Sequence, residues 1–301
     1  MNIDFYKYHA LGNDYIVIDP NKTNLNLSEK NIRLLCHRNF GIGSDGILYG
    51  PFFRDNAIHL RILNPDGREA EKSGNGIRIF ARYLFDAGYI TSSPFDLVTA
   101  GGKVGVELLD TNAGLIRVDM GKITFSSSEI PVAGPVREVL NEKFLIREIR
   151  NEELIIHEQQ LKINCLSIGN PHCVILLDEI SRELAERLGP VIENNKLFPN
   201  RINVQLMKII DRNNIRIEIW ERGAGYTLAS GSSSCAAASV AYKLGLADEN
   251  INVHMPGGTI AIKIAPDGHV YMTGSVTAVG KGCIGEDLLA QQEPEVLLQH
   301  L

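Results

Sequence analysis

The sequence lacks the segments that would place the chain in a membrane or outside the cell. No apolar run approaches the roughly 20 residues that a bilayer-spanning helix needs. The polar start Met1-Asn2-Ile3-Asp4 has neither the basic nor the apolar region of a signal peptide. The net charge of -6 comes without an acidic block, which disfavours a nucleic-acid partner. We therefore predict a cytoplasmic protein with no membrane and no nucleic-acid partner.

Cysteine is scarce, and its pattern excludes further classes of protein. The five cysteines, Cys36, Cys165, Cys173, Cys235 and Cys283, are odd in number and widely spaced. No CxxC motif or His/Cys cluster suggests a metal site. A reduced compartment is the simplest interpretation. The length of 301 residues and the apolar fraction of 44% favour two globular domains, each with its own core.

The sequence contains a strand, a glycine-rich loop, a serine and a helix, and this succession occurs twice. Apolar residues alternate over 58–62 and again over 215–219, which is typical of half-buried strands. Each strand leads into a glycine-rich loop that ends in a serine, Ser73 or Ser230. Small and apolar residues at helical spacing follow, so both serines are predicted to begin a helix.

One offset relates the two copies. Ser230 lies 157 positions after Ser73, and the same offset carries Gly88 to Gly245, where both helices are predicted to end. Several matches at one offset indicate a duplicated domain rather than two unrelated segments with similar local patterns. The sequence therefore predicts an α/β (α+β) fold of two pseudo-symmetric domains. We assign them residues 1–125 with 278–301, and residues 126–277.

Three further helices are predicted from local signals. Ser28 is a candidate N-cap for a helix that continues to about His37. Residues 181–188 form a second short helix, which we expect to end at Gly189-Pro190. The tail after Cys283 is predicted to form a short terminal helix.

A serine at a helix N-terminus lies beside unpaired N–H groups and the positive end of the helix dipole. That position binds carboxylates and lowers the pKa of a thiol, whereas a serine hydroxyl needs a strong neighbouring base. A plain N-cap is the alternative for either serine alone. Two serines at equivalent points of a duplicated fold indicate two groups facing one cleft. Proton transfer on opposite faces of one carbon is the chemistry of a racemase.

His172 and Glu221 accompany the second copy and have no equivalent in the first. Their counterparts at the offset are Tyr15 and Asn64. A buried core histidine and a surface charge are the structural alternatives for these two residues. Arg222 is suited to clamp a carboxylate, or else pairs with a surface acid.

Motifs that carry a family resemblance run along the chain to about residue 285. In the first half they are Gly12-Asn13-Asp14, Gly41-Ile42-Gly43, Asp45-Gly46, Asn64, Asp66-Gly67, Gly74-Asn75-Gly76, Arg78 and Ala81-Arg82-Tyr83. In the second half they are Gly169-Asn170-Pro171-His172-Cys173, Arg201-Ile202-Asn203, Glu221-Arg222-Gly223-Ala224-Gly225, Thr227, Ala229, Gly231, Cys235-Ala236-Ala237 and Pro256-Gly257-Gly258. With these motifs the sequence closely resembles the diaminopimelate epimerases, a family of cofactor-independent amino-acid epimerases.

The resemblance implies a fold, a reaction and a set of site residues. Each domain should be a β-barrel-like sheet around a central helix, with the active site in the cleft between domains. The family interconverts LL- and meso-diaminopimelate without pyridoxal phosphate or metal, so we expect no cofactor and a small amino-acid substrate. A homodimer is a further expectation. His172 and Glu221 match residues that assist catalysis. The substrate-binding positions implied are Asn13, Asn64, Gly74, Asn75, Asn170, Asn203, Glu221, Arg222, Gly231 and Ser232.

The sequence departs from the family at its two catalytic positions. Where the family has a thiolate base and a thiol acid, this chain has Ser73 and Ser230. The predicted consequence is a chain that binds substrate but is inactive or very slow. An engineered double substitution explains this pattern better than natural divergence, which would be expected to alter the binding residues as well.

Two other functions stay open. The first is a racemase of another amino acid, such as histidine. Asn64, Asn203 and Arg222 argue against it, because in the family they hold the distal end of diaminopimelate and would be left unpaired. The second is a non-catalytic amino-acid-binding protein, which the absent cysteines favour and the retained His172 and Glu221 disfavour.

Overall fold

A computed structural model describes residues 3–25, 27–110, 114–150 and 155–290. The chain divides into two compact units. The first unit contains Met1–Asp119 and Thr273–Leu301, and the second contains Met120–Met272. The domain boundaries predicted from the sequence lie after residues 125 and 277, whereas the two units divide after residues 119 and 272. The predicted boundaries stay a prediction.

Within the described residues, eight strands and two helices come first, and the last of these strands crosses from the first unit into the second at Met120. They are β1 Ile3–Ala10, β2 Asn13–Ile18, α1 Glu29–Cys36, β3 Ile47–Arg54, β4 Ala57–Leu63, β5 Glu69–Ala70, α2 Gly74–Asp86, β6 Phe95–Thr99, β7 Gly102–Asp110 and β8 Leu115–Lys122.

The elements of the second unit come next along the chain, which returns to the first unit at Thr273. They are β9 Glu142–Arg150, β10 Ile155–Ser167, β11 Pro171–Leu176, α3 Arg182–Glu193, β12 Asn203–Asp211, β13 Asn214–Glu221, β14 Gly225–Thr227, α4 Gly231–Lys243, β15 Asn250–Met255, β16 Gly258–Ile264, β17 His269–Ser275, β18 Thr277–Ile284 and α5 Glu286–Ala290. In the first unit, β18 pairs antiparallel with β1.

The two units have the same strand connectivity. In the first, β2 is parallel to β3, β3 is antiparallel to β4, β4 is parallel to β6, and β6 is antiparallel to β7. In the second, β11, β12, β13, β15 and β16 repeat that order and those directions. The helix α2 packs against β1, β2, β3 and β7, and α4 packs against β11, β12, β13, β15 and β16. The predicted duplicated α/β fold is confirmed.

The long helices α2 and α4 begin and end at equivalent residues. Ser73 and Ser230 are their N-caps, and each helix has 13 residues. Gly88 and Gly245 follow the C-caps with φ angles of +76° and +72°. Glycine adopts this left-handed conformation without steric cost, so it stops a helix at a defined point. The helix boundaries predicted from the two copies are confirmed.

The end predicted for the helix over residues 181–188, which is α3, is wrong. The helix α3 continues through Gly189 and Pro190 to Glu193. Proline removes one helical hydrogen bond, yet packing favours continuation by a little more than one turn, because Ile192 is fully buried in the core of the second unit. Asn194 closes the helix, since its backbone N–H and its side-chain amide both donate to the carbonyl of Pro190.

The two remaining predicted helices are present. Ser28 caps α1, its hydroxyl accepting from the N–H of Asn31, and the helix ends at Cys36, beside the predicted limit. The helix α5 occupies Glu286–Ala290, and the rest of the predicted tail, residues 291–301, lies outside the described residues. Over the part of the chain that the structure describes, no helix is both long enough and apolar enough to span a membrane.

The contact between α3 and β13 depends on a glycine. A Cβ atom added to Gly189 would lie 2.3 Å from Cγ of Trp220, and the indole is held by a 2.7 Å hydrogen bond from its Nε1 to Glu193. We expect Gly189→Ala to lower the free energy of unfolding by about 2 kcal/mol, because overpacking exceeds the gain in helix propensity. Gly280→Ala is the control, since an added Cβ there meets no atom within 4 Å. Equal urea midpoints for both variants would contradict this packing.

Candidate active site

The two serines lie at helix N-termini with nearly the same geometry. The Ser73 hydroxyl accepts a hydrogen bond from the N–H of Gly76 at 3.1 Å. The Ser230 hydroxyl accepts from the N–H of Ser233 at 3.4 Å. The first N–H groups of an α-helix have no intrahelical acceptor. Each serine is therefore followed by N–H groups suited to an anion, those of Gly74 and Asn75 in α2, and of Gly231 and Ser232 in α4.

In the first unit, a row of side-chain hydrogen bonds fixes two predicted binding residues. The guanidinium of Arg78, fully buried, donates to Asn75 Oδ1 at 2.8 Å. Asn75 Nδ2 donates to Asn13 Oδ1 at 3.0 Å, and Asn13 Nδ2 donates to Asp45 Oδ2 at 2.8 Å. Because every amide has a donor on one side and an acceptor on the other, the orientations of both carboxamides are defined.

A charge cluster anchors the loop that carries Asn13. Arg38 bridges Asp14 and Asp45 at 2.8 and 2.7 Å, and Lys7 contacts Asp14 at 2.9 Å. Burial raises the pKa of Asp14, but the hydrogen bonds from Arg38 and Lys7 outweigh it, so the net pKa lies below its ordinary value. Asp14 is therefore ionised at neutral pH and holds the start of β2 in place.

Tyr15 is a neighbour of Ser73 that sequence reasoning did not assign to the site. Its hydroxyl lies 3.2 Å from Ser73 Oγ. The sequence did contain a signal, because Tyr15 stands at the repeat offset from His172. The pattern could not reveal the contact, which joins residues 58 positions apart.

In the second unit, His172 is a fully buried imidazole. Its Nε2 lies 3.0 Å from Asn170 Oδ1. With that oxygen as acceptor, Nε2 carries the proton, and Nδ1 has no hydrogen-bond partner among the described residues. Burial and the positive charge of Arg222 lower the pKa of His172 to about 3, against a smaller raising effect of Gln205. The imidazole is therefore neutral near pH 7.

Asn203 joins β11 to the loop after β13. It is the register partner of His172 across the parallel pair β11–β12. Its Nδ2 donates to the carbonyl of Pro171 at 2.8 Å, and its Oδ1 accepts from the N–H of Arg222 at 2.9 Å. The Arg222 guanidinium also donates to the carbonyl of Asn200 at 3.2 Å. Asn203 thus holds the backbone next to His172 and the backbone of Arg222.

Glu193, at the end of α3, is a second residue that sequence reasoning missed. The carboxylate is buried and accepts from the N–H of Gly223 at 2.9 Å and from Trp220 Nε1 at 2.7 Å. Arg201 contacts it at 3.1 Å. No sequence signal marks it, because its three partners come from other elements. It holds the loop that follows Glu221.

Two of the predicted site residues lie at equivalent ends of strands in the two units. Asn64 follows β4 and Glu221 ends β13, which are equivalent positions at the repeat offset. Hydrogen bonds bring Asn13 together with Asn75, and Asn170 together with His172. The binding roles of these residues stay predictions. Within the described ranges, no three His, Cys, Asp or Glu side chains cluster as a metal site would require.

The cysteines of this chain do not take the place of the missing thiols. Burial raises the pKa of Cys36 to about 11 and that of Cys165 well above its usual range. A hydrogen bond to Asp4 raises the pKa of Cys283, the exposed cysteine. Cys173 lies inside β11 and Cys235 inside α4, both fully buried. No cysteine therefore stands at a helix N-cap.

Known proteins share both the sequence and the fold of this chain. A family model described as diaminopimelate epimerase matches residues 5–126 and 164–279. Diaminopimelate epimerase 2 of Nostoc sp. is 54% identical over 287 residues, covering 95% of this chain and 97% of the relative. A diaminopimelate epimerase of Desulfitobacterium hafniense is 37% identical over 294 residues, covering 96% and 100%.

Solved structures with low sequence identity have the same fold. A probable proline racemase of Agrobacterium radiobacter has a TM-score of 0.67 at 15% identity, covering 95% of this chain and 93% of that chain. A hydroxyproline epimerase of Agrobacterium vitis has a TM-score of 0.66 at 13% identity, with the same coverage. The fold extends beyond one family, whereas the sequence identity does not. Together with the repeated helix N-caps and the polar residues around them, that identity shows that the chain belongs to the diaminopimelate epimerase family.

Proposed function

We propose that this chain is a diaminopimelate epimerase scaffold, an isomerase that binds 2,6-diaminopimelate at the two serine-capped helices. The single observation that carries the proposal is the pair of N-caps at Ser73 and Ser230, each at the same point of a duplicated unit. Family membership supplies the substrate. The partner is then a small amino acid, and the homodimer stays a prediction.

The proposed reaction is proton transfer on both faces of one α-carbon. One group removes the α-proton, and the other delivers a proton to the opposite face, so the configuration is inverted. The α-carboxylate would accept hydrogen bonds from the N–H groups of Gly74, Asn75, Gly231 and Ser232. Negative charge that develops near the carboxylate is stabilised by the same N–H groups.

The side chains near each cap have proposed roles in binding and orientation. Asn13 has one amide hydrogen beyond its bond to Asp45, which is available to the substrate. His172, a neutral imidazole, and Glu221 would assist proton transfer beside Ser230. Asn64, Asn203 and Arg222 would bind the distal amino-acid end, with Asn170 beside His172.

With serine at both caps, the proposed site binds but hardly catalyses. The α-hydrogen of an amino acid is very weakly acidic, so its removal needs a base that is populated near pH 7. A helix N-terminus lowers the pKa of a thiol into that range but does not do so for an alcohol. A silent binding protein is therefore the second candidate, and it is favoured because burial raises the pKa of the Cys36 and Cys165 thiols.

The proposed binding site is complete without the thiols. We expect the protein to bind diaminopimelate with a dissociation constant between millimolar and micromolar, roughly -4 to -8 kcal/mol. Calorimetry with the LL and meso isomers, with L-histidine and L-lysine as comparison ligands, measures this. Arg222→Met should weaken binding at least tenfold, because it removes the proposed partner of the distal carboxylate. Tighter binding of histidine than of either diaminopimelate isomer would support the other racemase.

Restoring both thiols should create catalysis. We expect the double substitution Ser73→Cys with Ser230→Cys to incorporate solvent deuterium at the α-carbon and to interconvert the isomers. Each single substitution should give only slow exchange, because inversion needs a base and an acid. The matched control is Ser28→Cys with Ser181→Cys, which places thiols at the N-caps of α1 and α3.

Two results would overturn this assignment in different ways. A folded, reduced double variant that binds diaminopimelate but exchanges no deuterium would favour the silent binding protein. Rapid turnover by the chain with both serines would show that an alcohol is activated there in a manner that the N-cap geometry does not explain.

The neutral state of His172 makes stability depend on pH. The unfolded chain takes up a proton on this imidazole near the ordinary pKa of 6.5, whereas the folded chain does so only near 3. The free energy of unfolding should therefore fall as the pH drops from about 6.5 to 3, by up to about 5 kcal/mol. His172→Asn should flatten this slope in urea titrations between pH 7 and 4. A change no larger than that of His269→Asn would contradict the buried neutral state.

A further inference from the structure

The two units carry different groups at one equivalent position. Tyr15 in β2 and His172 in β11 are related by the repeat offset. The strands they occupy are equivalent, because β2 is parallel to β3 and β11 is parallel to β12. His172 directs Nε2 to Asn170, whereas Tyr15 directs its hydroxyl to Ser73 Oγ at 3.2 Å. The N-cap of α2 therefore has a hydroxyl partner beside it.

The space for the tyrosine ring is provided by a glycine. A Cβ atom added to Gly46 would lie 2.8 Å from Cε1 of Tyr15 and 2.7 Å from the carbonyl oxygen of Leu63. Tyr15 is 7% exposed, so its ring is packed rather than free to turn into solvent. The contact with Ser73 is therefore held by the packing of β2 and β3.

The hydrogen bonds of Ser73 determine what the tyrosine contributes. A serine hydroxyl has one hydrogen and two lone pairs. One lone pair accepts from the N–H of Gly76 at 3.1 Å. A phenol is a stronger acid than an aliphatic alcohol, and the N-terminus of a helix favours negative charge on Ser73 Oγ. Both effects favour Tyr15 as donor to the second lone pair, which leaves the Ser73 hydrogen directed away from both.

We propose that Tyr15 is a positioning residue that acts through position 73, donating a hydrogen bond to the atom that handles the proton there. This inference deepens the proposed function and rests on it for its catalytic meaning. It assigns the two halves of the site different tendencies. Ser73, with both lone pairs occupied, is prepared to give a proton rather than to take one.

The proton transfer that follows from this arrangement is balanced. When Ser73 delivers its proton to the α-carbanion, a C–H bond forms and the serine O–H bond breaks. The Tyr15 hydroxyl proton then moves to Oγ, and the phenolate takes a proton from water. The hydroxide that forms is neutralised when the group on the opposite face releases the proton it removed from the α-carbon. The donor at position 73 is thereby restored without any residue beyond this pair.

The test replaces the serine by a group whose ionisation is measurable. In a Ser73→Cys, Cys283→Ser protein, the rate of alkylation by iodoacetamide against pH gives the pKa of the thiol at position 73. Cys283 is removed because it is the exposed cysteine of the five. Adding Tyr15→Phe should raise that pKa by about one unit, a tenfold loss of thiolate near pH 7, because the thiolate loses a donor.

The control is Tyr49→Phe, which removes a hydroxyl from β3 of the same unit without touching the helix N-cap. Peptide mapping confirms that position 73 is the alkylated site. Gly46→Ala provides a second variant, which displaces the ring while keeping the hydroxyl, and it should raise the same pKa. An alkylation profile that is unchanged by Tyr15→Phe, in a protein with an unchanged circular dichroism spectrum, overturns the inference.

A second measurement separates this inference from the proposed function. In the Ser73→Cys, Ser230→Cys protein, where inversion needs the group at position 73, Tyr15→Phe should reduce the deuterium exchange that accompanies inversion of diaminopimelate about tenfold, and Tyr49→Phe should leave it unchanged. Alkylation involves no substrate, so a raised pKa with no exchange by any cysteine variant rejects the proposed function alone. Exchange that is insensitive to Tyr15→Phe, together with an unchanged pKa, rejects the role of Tyr15 alone.

Discussion

The structure depends on what a helix requires at its first turn. The leading N–H groups of α2 and α4 have no partner within the helix, so the chain must supply one. Ser73 and Ser230 do so with the same backbone conformation, extended at the cap, and a hydroxyl that accepts from the third helical residue. The remaining N–H groups after each cap are then directed at whatever anion binds. The unpaired N–H groups at the helix N-terminus therefore explain both why a capping serine stabilises the helix and why the position is suited to an anion.

Duplication preserved this backbone while the side chains around it diverged. Asn75 connects α2 to Asn13 through a hydrogen bond, and the buried Arg78 orients the Asn75 carboxamide. In the second unit, Gln205 reaches the first turn of α4 instead, donating to Ser233 at 3.0 Å. The equivalent strands β2 and β11 therefore carry different groups. In β2 the Tyr15 hydroxyl contacts the cap Ser73, whereas in β11 the neutral imidazole of His172 contacts Asn170. Two halves with one fold and unequal side chains suit a reaction whose two faces have opposite tasks.

The sequence predicted most of the fold and part of the candidate site. The caps at Ser73 and Ser230 and the glycine stops were readable because each depends on residues close together along the chain, and the repeat was readable because the same local pattern recurs at one offset. The end of α3 was not, since burial of Ile192 outweighs the local signal of Pro190. The contacts of Tyr15 and Glu193 were also missed. Both join elements far apart in sequence, and only the packed strands bring them together.

The return of β18 to β1 has a consequence for the order in which the chain folds during synthesis. The first unit is made of two segments, and β1 obtains its β18 partner only when residues 277–284 have been translated. The second unit is one continuous segment, so all of its strands are available earlier. Domains usually fold from the N-terminus as they emerge from the ribosome. Here all residues of the second unit are synthesised before β18, so the second unit is complete before the first unit has its last strand.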